Sequence, residues 1–239
     1  MTQALSFVAL VILIMGALLV LDGPAKEAER AEAVPTAARP VVPDRVALPA
    51  PSREGPVSIE SAIENRRSVR TYSDEPMPLA DLSQLLWAAQ GVTGDGHRAA
   101  PSAGALYPVE LFVAVGRVTG LPTGLYRYRP EAHELRIVRI ADVRPELSDA
   151  ALSQEWVAEA AAVVVIGAVP SRTAAKYGDR AERYVAIEVG AVAENVYLQA
   201  ESLDLGTVFV GAFSDDEVAR IIDAEDVEAF GLMPVGALP

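Results

Sequence analysis

Residues 184–203 read YVAIEVGAVAENVYLQAESL. Val185, Val189, Val192, Val196 and Leu203 recur at helical spacing, which predicts a long helix with one apolar face. Just upstream, residues 161–169 read AAVVVIGAV, a short continuous apolar run of the kind that forms a strand covered on both faces. Thr207 to Phe213 reads as a second buried strand, and Val109 to Val115 as a third. Leu125 to Tyr128 and Leu135 to Ile140 flank Pro130-Glu131-Ala132-His133 and predict a hairpin. Ser58 is placed to cap a helix carrying Ile59, Ala62 and Ile63 on one face. Another helix follows Pro78, with Leu79, Leu82, Leu85, Leu86 and Ala89 inward and Gly91 as its stop. Asp215 to Ile222 reads as a helix capped by Ser214. Long helices mixed with hairpins, without a regular βαβ repeat, predict an α+β fold.

Outside this folded part the composition changes. Residues 1–21 include ALSFVALVILIMGALLVL at 4–21, long enough as a helix to cross a hydrocarbon core. The reading is a single-pass membrane anchor, with a cleaved signal segment as its rival. Lys26 and Arg30 lean towards a cytoplasmic domain without deciding the side. Residues 22–56 are rich in Ala, Pro and charge and hold no aromatic residue, which predicts a tether. Residues 57–239 then form one domain.

Charge and composition exclude several chemistries. The net charge of -13 disfavours nucleic acid as a partner. With no cysteine there are no disulfides, thiolate nucleophiles, lipobox or Cys-held metals. Two histidines, His97 and His133, do not make a His-rich metal site. There is no GxGxxG after a strand and no P-loop lysine, so a dedicated Rossmann domain is not expected.

Against the acidic background, Arg66-Arg67-Ser68-Val69-Arg70 stands out. Guanidiniums suit bidentate phosphate binding, and strand-like alternation would set Arg66, Ser68 and Arg70 on one side. A solvated helix C-terminus, where arginine complements the dipole, also fits. Pro101-Ser102-Ala103-Gly104-Ala105-Leu106 is a run of small residues that lets a backbone approach a flat ligand. An ordinary loop into a strand fits it as well.

Taken in order, SIESAIENRRSVRTYSDEPMPLADLSQLLWAAQGVT, APSAGALYP, GLYRY, KYGDRAERYVAIEVG and DLGTVFVGAF resemble the nitroreductase superfamily. Within it they look like the SagB/thiazole-oxazole oxidase branch of flavin dehydrogenases. The resemblance spans Val57 to Pro239 and implies a central, mainly antiparallel sheet surrounded by helices, in a homodimer with FMN at its interface. It implies that Arg66, Arg67, Ser68 and Arg70 hold the phosphate, ribityl chain and pyrimidine edge. It implies that Pro101, Ser102, Ala103, Gly104 and Leu106 of the partner subunit cover the ring, and that Val210 and Gly211 line it near N5. Lys176-Tyr177 matches a pair tied to azoline oxidation, so the implied substrate is a peptide azoline or a small molecule, with NAD(P)H as a possible electron donor. The chain departs from the pattern at Ala191 and Glu194, where relatives often carry His and Gln, and near Ala237, where they often carry Arg. The Ala237 departure keeps a second reading open, that of a flavin-free, membrane-tethered binding domain.

Overall fold

The computed structural model describes residues 44–239. Its strands and helices run β1 (Arg45–Ala47), α1 (Ile59–Asn65), β2 (Met77–Pro78), α2 (Leu79–Gln90), β3 (Val92–Gly94), β4 (His97–Arg98), β5 (Val109–Val115), β6 (Val118–Thr119), β7 (Gly124–Arg129), β8 (Glu134–Arg139), α3 (Arg144–Ala150), α4 (Glu155–Glu159), β9 (Ala162–Ala168), α5 (Pro170–Tyr177), α6 (Ala181–Ser202), β10 (Leu205–Thr207), α7 (Asp215–Ile222) and β11 (Glu228–Ala237). Seven strands form one sheet in the order β1-β8-β7-β5-β9-β11-β10. All of its pairings are antiparallel.

The period-2 rule of a strand divides the core between the two faces of this sheet. Leu111, Val113 and Val115 of β5, with Val164 and Ile166 of β9, pack towards α2 and α6. Phe112 and Ala114, with Val163 and Val165, pack towards α3, α4 and α7. Both strands are covered on both sides, which is why 161–169 is almost wholly Ala, Val and Ile. The predicted hairpin is β7–β8.

Several expectations change. The strand expected over Thr207 to Phe213 is cut to Leu205–Thr207, and beyond it only Val210 bridges to Leu232. The sheet is completed instead by β11, a ten-residue strand that Gly231 and Pro234 disguise in the sequence. A bulge between Ala229 and Gly231 absorbs the first irregularity. Ser58 caps α1 as expected, accepting from the Ser61 N–H at 3.2 Å, whereas Ser214 holds the N-cap position of α7 without a side-chain cap bond. Of the face carrying Ile59, Ala62 and Ile63 in α1, Ala62 is buried while Ile59 and Ile63 are 56% and 58% exposed, so that face is only partly covered in the single chain.

Part of the expected tether belongs to the fold. Arg45–Ala47 pairs with Glu134–Arg136, Leu48 is buried, and Pro49 accepts from the Ser83 hydroxyl at 2.6 Å. Three strand-forming residues and one leucine suffice to dock a segment whose composition otherwise reads as linker. The expectation of a membrane location does not hold for the described chain: among the described residues no helix is long and apolar enough to cross a membrane. Residues 1–21, where the sequence suggests an anchor, lie outside the described residues.

Candidate functional site

Helix α1 ends at Asn65 because Arg66 turns out of helical geometry, at φ -45° and ψ 122°. The chain then runs extended, and the Val69 N–H donates to Thr207 O at 2.9 Å, tying the basic segment to β10. The Arg66 guanidinium lies over the Tyr197 ring, 5.1 Å from its centroid. Ser68 Oγ is 3.1 Å from the Tyr197 hydroxyl, which also accepts the Phe209 N–H at 2.7 Å. Tyr197 therefore joins the basic segment to the chain leading into Val210 and Gly211. Arg67 folds back onto the carbonyls of Glu64 and Arg66, and Arg70 lies over the Trp156 ring at 5.8 Å. Arg66 and Ser68 thus share one partner, while Arg67 and Arg70 take others.

Among the described residues, Arg66, Arg67 and Arg70 have no carboxylate within ion-pair distance. In a chain of net charge -13, that makes a local positive strip without a close ion pair among the described residues. Such a strip has the charge and donor set to hold a phosphate.

Beside Tyr197 a recess of about 440 Å³ opens along α6, lined by Ala186, Val189, Gly190, Ala193, Glu194, Tyr197, Phe209 and Phe230. Small residues on the helix and the rings of Phe209 and Phe230 make it mostly apolar. The Phe209 ring reaches its place only because residue 231 is glycine; a Cβ there would lie 2.3 Å from the ring. Val210 is buried and exchanges two backbone hydrogen bonds with Leu232, at 2.8 and 3.0 Å, and Gly211 beyond it is exposed. An arginine strip beside a mostly apolar recess has the donor set and the apolar lining that a flavin mononucleotide needs. The position near Ala237 supplies no cation: Ala237 closes β11, and its carbonyl accepts the Ser73 N–H at 2.9 Å.

The second group of candidates lies elsewhere. Ala103–Ala105 is a single 3-10 turn in which Gly104 has φ 64°. Ala105 at φ 53° and Tyr107 at φ 47° also occupy the left-handed region, which disfavours side chains. A Cβ on Gly104 would sit 2.7 Å from the Tyr177 hydroxyl oxygen and 3.0 Å from Lys176 Nζ. The small-residue loop and the Lys-Tyr pair, far apart in sequence, therefore meet at one glycine. Lys176 and Tyr177 form the last turn of α5. The Tyr177 ring packs edge-on against Tyr184 of α6, with centroids 5.0 Å apart.

Tyr184 and Tyr197 fix the distance between the two groups. Thirteen helical steps separate them (197 minus 184), which is about 20 Å at 1.5 Å per residue. The candidate residues form two half-sites near opposite ends of one helix, and a single chain does not join them. Sequence reasoning missed Tyr197, Phe209 and Trp156, which position the arginines and the recess. Tyr197 has no signal of its own, since an aromatic residue on a long helix reads as core.

Comparison with known proteins agrees with this architecture. The Nitroreductase family pattern matches residues 63–237. The chain is 49% identical over 183 residues to MJ1384 of Methanocaldococcus jannaschii, a protein carrying the name nitroreductase; the match covers 75% of this chain and 91% of that one. It is 32% identical to a crystal structure of a Ralstonia eutropha JMP134 protein also named as a nitroreductase, with TM-score 0.72 and coverage of 82% and 90%. It shares the fold of a chain in the E. coli microcin synthetase McbBCD complex with truncated pro-MccB17 bound, at 21% identity, TM-score 0.63 and coverage of 89% and 85%.

Proposed function

The chain belongs to the nitroreductase family, and on that premise we propose that it is an FMN-dependent oxidoreductase of SagB/nitroreductase type, acting as a homodimer on a small molecule or a peptide azoline. The observation that carries this reading is the pair of half-sites on α6. A second copy that brings its Gly104 loop to the first copy's arginine strip completes two equivalent sites and covers the exposed Ile187 face of the helix.

Bound FMN supplies the hydride-transferring ring. The chain's own residues do the rest. Arg66, Arg67 and Arg70 hold the phosphate and ring-edge charge, and Ser68 adds a hydrogen bond. Tyr197 braces Arg66 and Ser68 against the Phe209 backbone. Val210, whose N–H and C=O are both held by Leu232, fixes the place of Gly211, which offers exposed backbone polar groups beside the recess. The partner's loop of Pro101, Ser102, Ala103, Gly104 and Leu106 excludes water from above. Lys176 polarises the substrate, and the Tyr177 hydroxyl gives or takes a proton. NADH or NADPH is the electron donor in the reductive direction.

Purified full-length protein is expected to be yellow and to release FMN on denaturation. Colourless protein that takes up no added FMN would overturn the reading and leave a flavin-free binding domain. Anaerobic bleaching with NADH and with NADPH then identifies the donor.

A further inference from the structure

Arg172 sits in α5 four residues before Lys176, so the two share one face of the helix. Its guanidinium has two partners. One arm donates to the Tyr107 carbonyl oxygen at 3.1 Å, and the other pairs with Glu110 Oε1 at 2.6 Å. The second oxygen of Glu110 is taken by Arg127 at 3.1 Å, and the Arg127 guanidinium lies 5.5 Å from the Phe112 ring centroid. Glu110 is thus gripped from behind by Arg127 and aims the Arg172 fork at Tyr107. The Glu110 side chain is only 15% exposed, which strengthens its pairs relative to those in open solvent.

The loop and α5 run side by side in opposite directions. At one end the Val169 N–H, just before α5, donates to Pro108 O at 2.8 Å. At the other, Gly104 meets Lys176 and Tyr177. Arg172 ties the two segments between these points. The loop needs such ties, because Ala105 and Tyr107 each adopt left-handed backbone, at a cost of about 1–2 kcal/mol per residue. Strain of this kind persists only where the surroundings over-determine it. Within the loop, Ser102 accepts the Ala105 N–H on its carbonyl at 3.0 Å and the Tyr107 N–H on its hydroxyl at 2.9 Å. Those bonds close the turn, but they do not hold it against the helix. The planar fork of an arginine delivers two directed bonds at once, which the single head of a lysine does not.

We propose that Arg172, aimed by Glu110, is a positioning residue of the site: it clamps the 101–107 loop to the helix that carries Lys176 and Tyr177, so that the two move as one unit. The inference rests on the functional reading above only for what Lys176 and Tyr177 do. Hydrogen exchange of the full chain tests it without reference to flavin or turnover. Arg172→Met, which keeps the unbranched stem, is expected to speed exchange of the Ala105 and Tyr107 amides about ten-fold, the equivalent of one lost charge-assisted hydrogen bond. Glu110→Gln acts only through Arg172 and is expected to speed it about three-fold, and the double variant no more than Arg172→Met alone. Arg172→Lys keeps the charge without the fork and is expected to leave most of the acceleration in place. Peptides from α6 and the sheet stay at wild-type rates. Unchanged loop exchange in Arg172→Met overturns the proposal, as does an additive effect in the double variant. Wild-type exchange in Arg172→Lys overturns it as well, by showing that any cation serves. Faster exchange spread through the whole sheet also sinks it, by making Arg172 an ordinary structural residue. Should Arg172→Met not fold, Arg172→Lys and Glu110→Gln decide: faster loop exchange in both sustains the clamp, and wild-type exchange in either refutes it. Absence of flavin from every variant would count against the proposed function and leave the exchange result standing.

Discussion

The two ends of α6 solve different problems. Near Tyr197 three arginines have no carboxylate partner among the described residues, and two of them lie on aromatic rings. Near Tyr184 the chain strains a backbone loop and closes that loop at its base with the Tyr107 N–H donated to the Ser102 hydroxyl. The first end is organised by charge, which acts over distance and tolerates exposed side chains. The second is organised by shape, where one added Cβ at Gly104 collides with two polar heads. The difference means that, under the proposed function, cofactor binding and chemistry on this helix are separable by substitution.

The largest expected effect tests the charged end. Arg66→Ala combined with Arg70→Ala is expected to weaken FMN binding by at least about a hundred-fold, since each charge-assisted hydrogen bond contributes about 1.5–3 kcal/mol. Both side chains lie outside the core, so the circular dichroism spectrum stays that of the wild type. Flavin absorbance after desalting measures the loss, and undiminished occupancy would show that the strip does not bind the cofactor.

The shaped end should respond in turnover rather than in cofactor content. Gly104→Ala is expected to lower kcat/KM about ten-fold, because an alanine held at positive φ costs about 1–2 kcal/mol and its methyl displaces Lys176 and Tyr177. FMN occupancy should hardly change. Loss of flavin with normal turnover per bound flavin would reverse the assignment of the two ends.

The smallest effect lies away from both ends and serves as a control. His133 Nε2 is 3.0 Å from Pro49 O and 2.8 Å from Ser83 Oγ, and Nδ1 is 2.8 Å from the Tyr128 hydroxyl. A carbonyl only accepts, so Nε2 carries the proton and Nδ1 accepts from Tyr128. Burial holds the pKa of the folded ring below the usual 6.5, against a smaller opposing pull from Pro49. The unfolded chain therefore takes the proton first as pH falls. The stability contributed by the neutral ring is present above pH 6.5 and is lost as pH drops towards the lower folded value. Urea midpoints between pH 7.5 and 5 should fall slightly for the wild type and more gently for His133→Gln. Equal slopes would remove His133 as the titrating clasp on the Leu48–Pro49 segment, while neither half-site should notice.

Legibility differed between these regions for a physical reason. The strip Arg66 to Arg70 was visible because like charges crowded into an acidic chain are rare and cost energy unless something uses them. Lys176-Tyr177 and the Gly104 loop were visible only as parts of an ordered resemblance, since neither Lys-Tyr nor a small-residue loop carries a local signal. Arg172 looked like one more arginine on a short helix, because a sequence does not show which carbonyl a guanidinium reaches. Strand β11 stayed hidden behind Gly231 and Pro234, and β1 behind a linker-like composition.

By itself the sequence determined the α+β class, the long helix, the buried strands and the place where positive charge collects. Each of these follows from local periodicity or composition, acting over a few residues. Only the tertiary structure decided that Gly104 meets Lys176 and Tyr177, that Tyr197 braces Arg66 and Ser68, and that the two groups stand about 20 Å apart along α6. Those are contacts between segments distant in the chain, set by how the sheet and helix pack, and no local pattern encodes them.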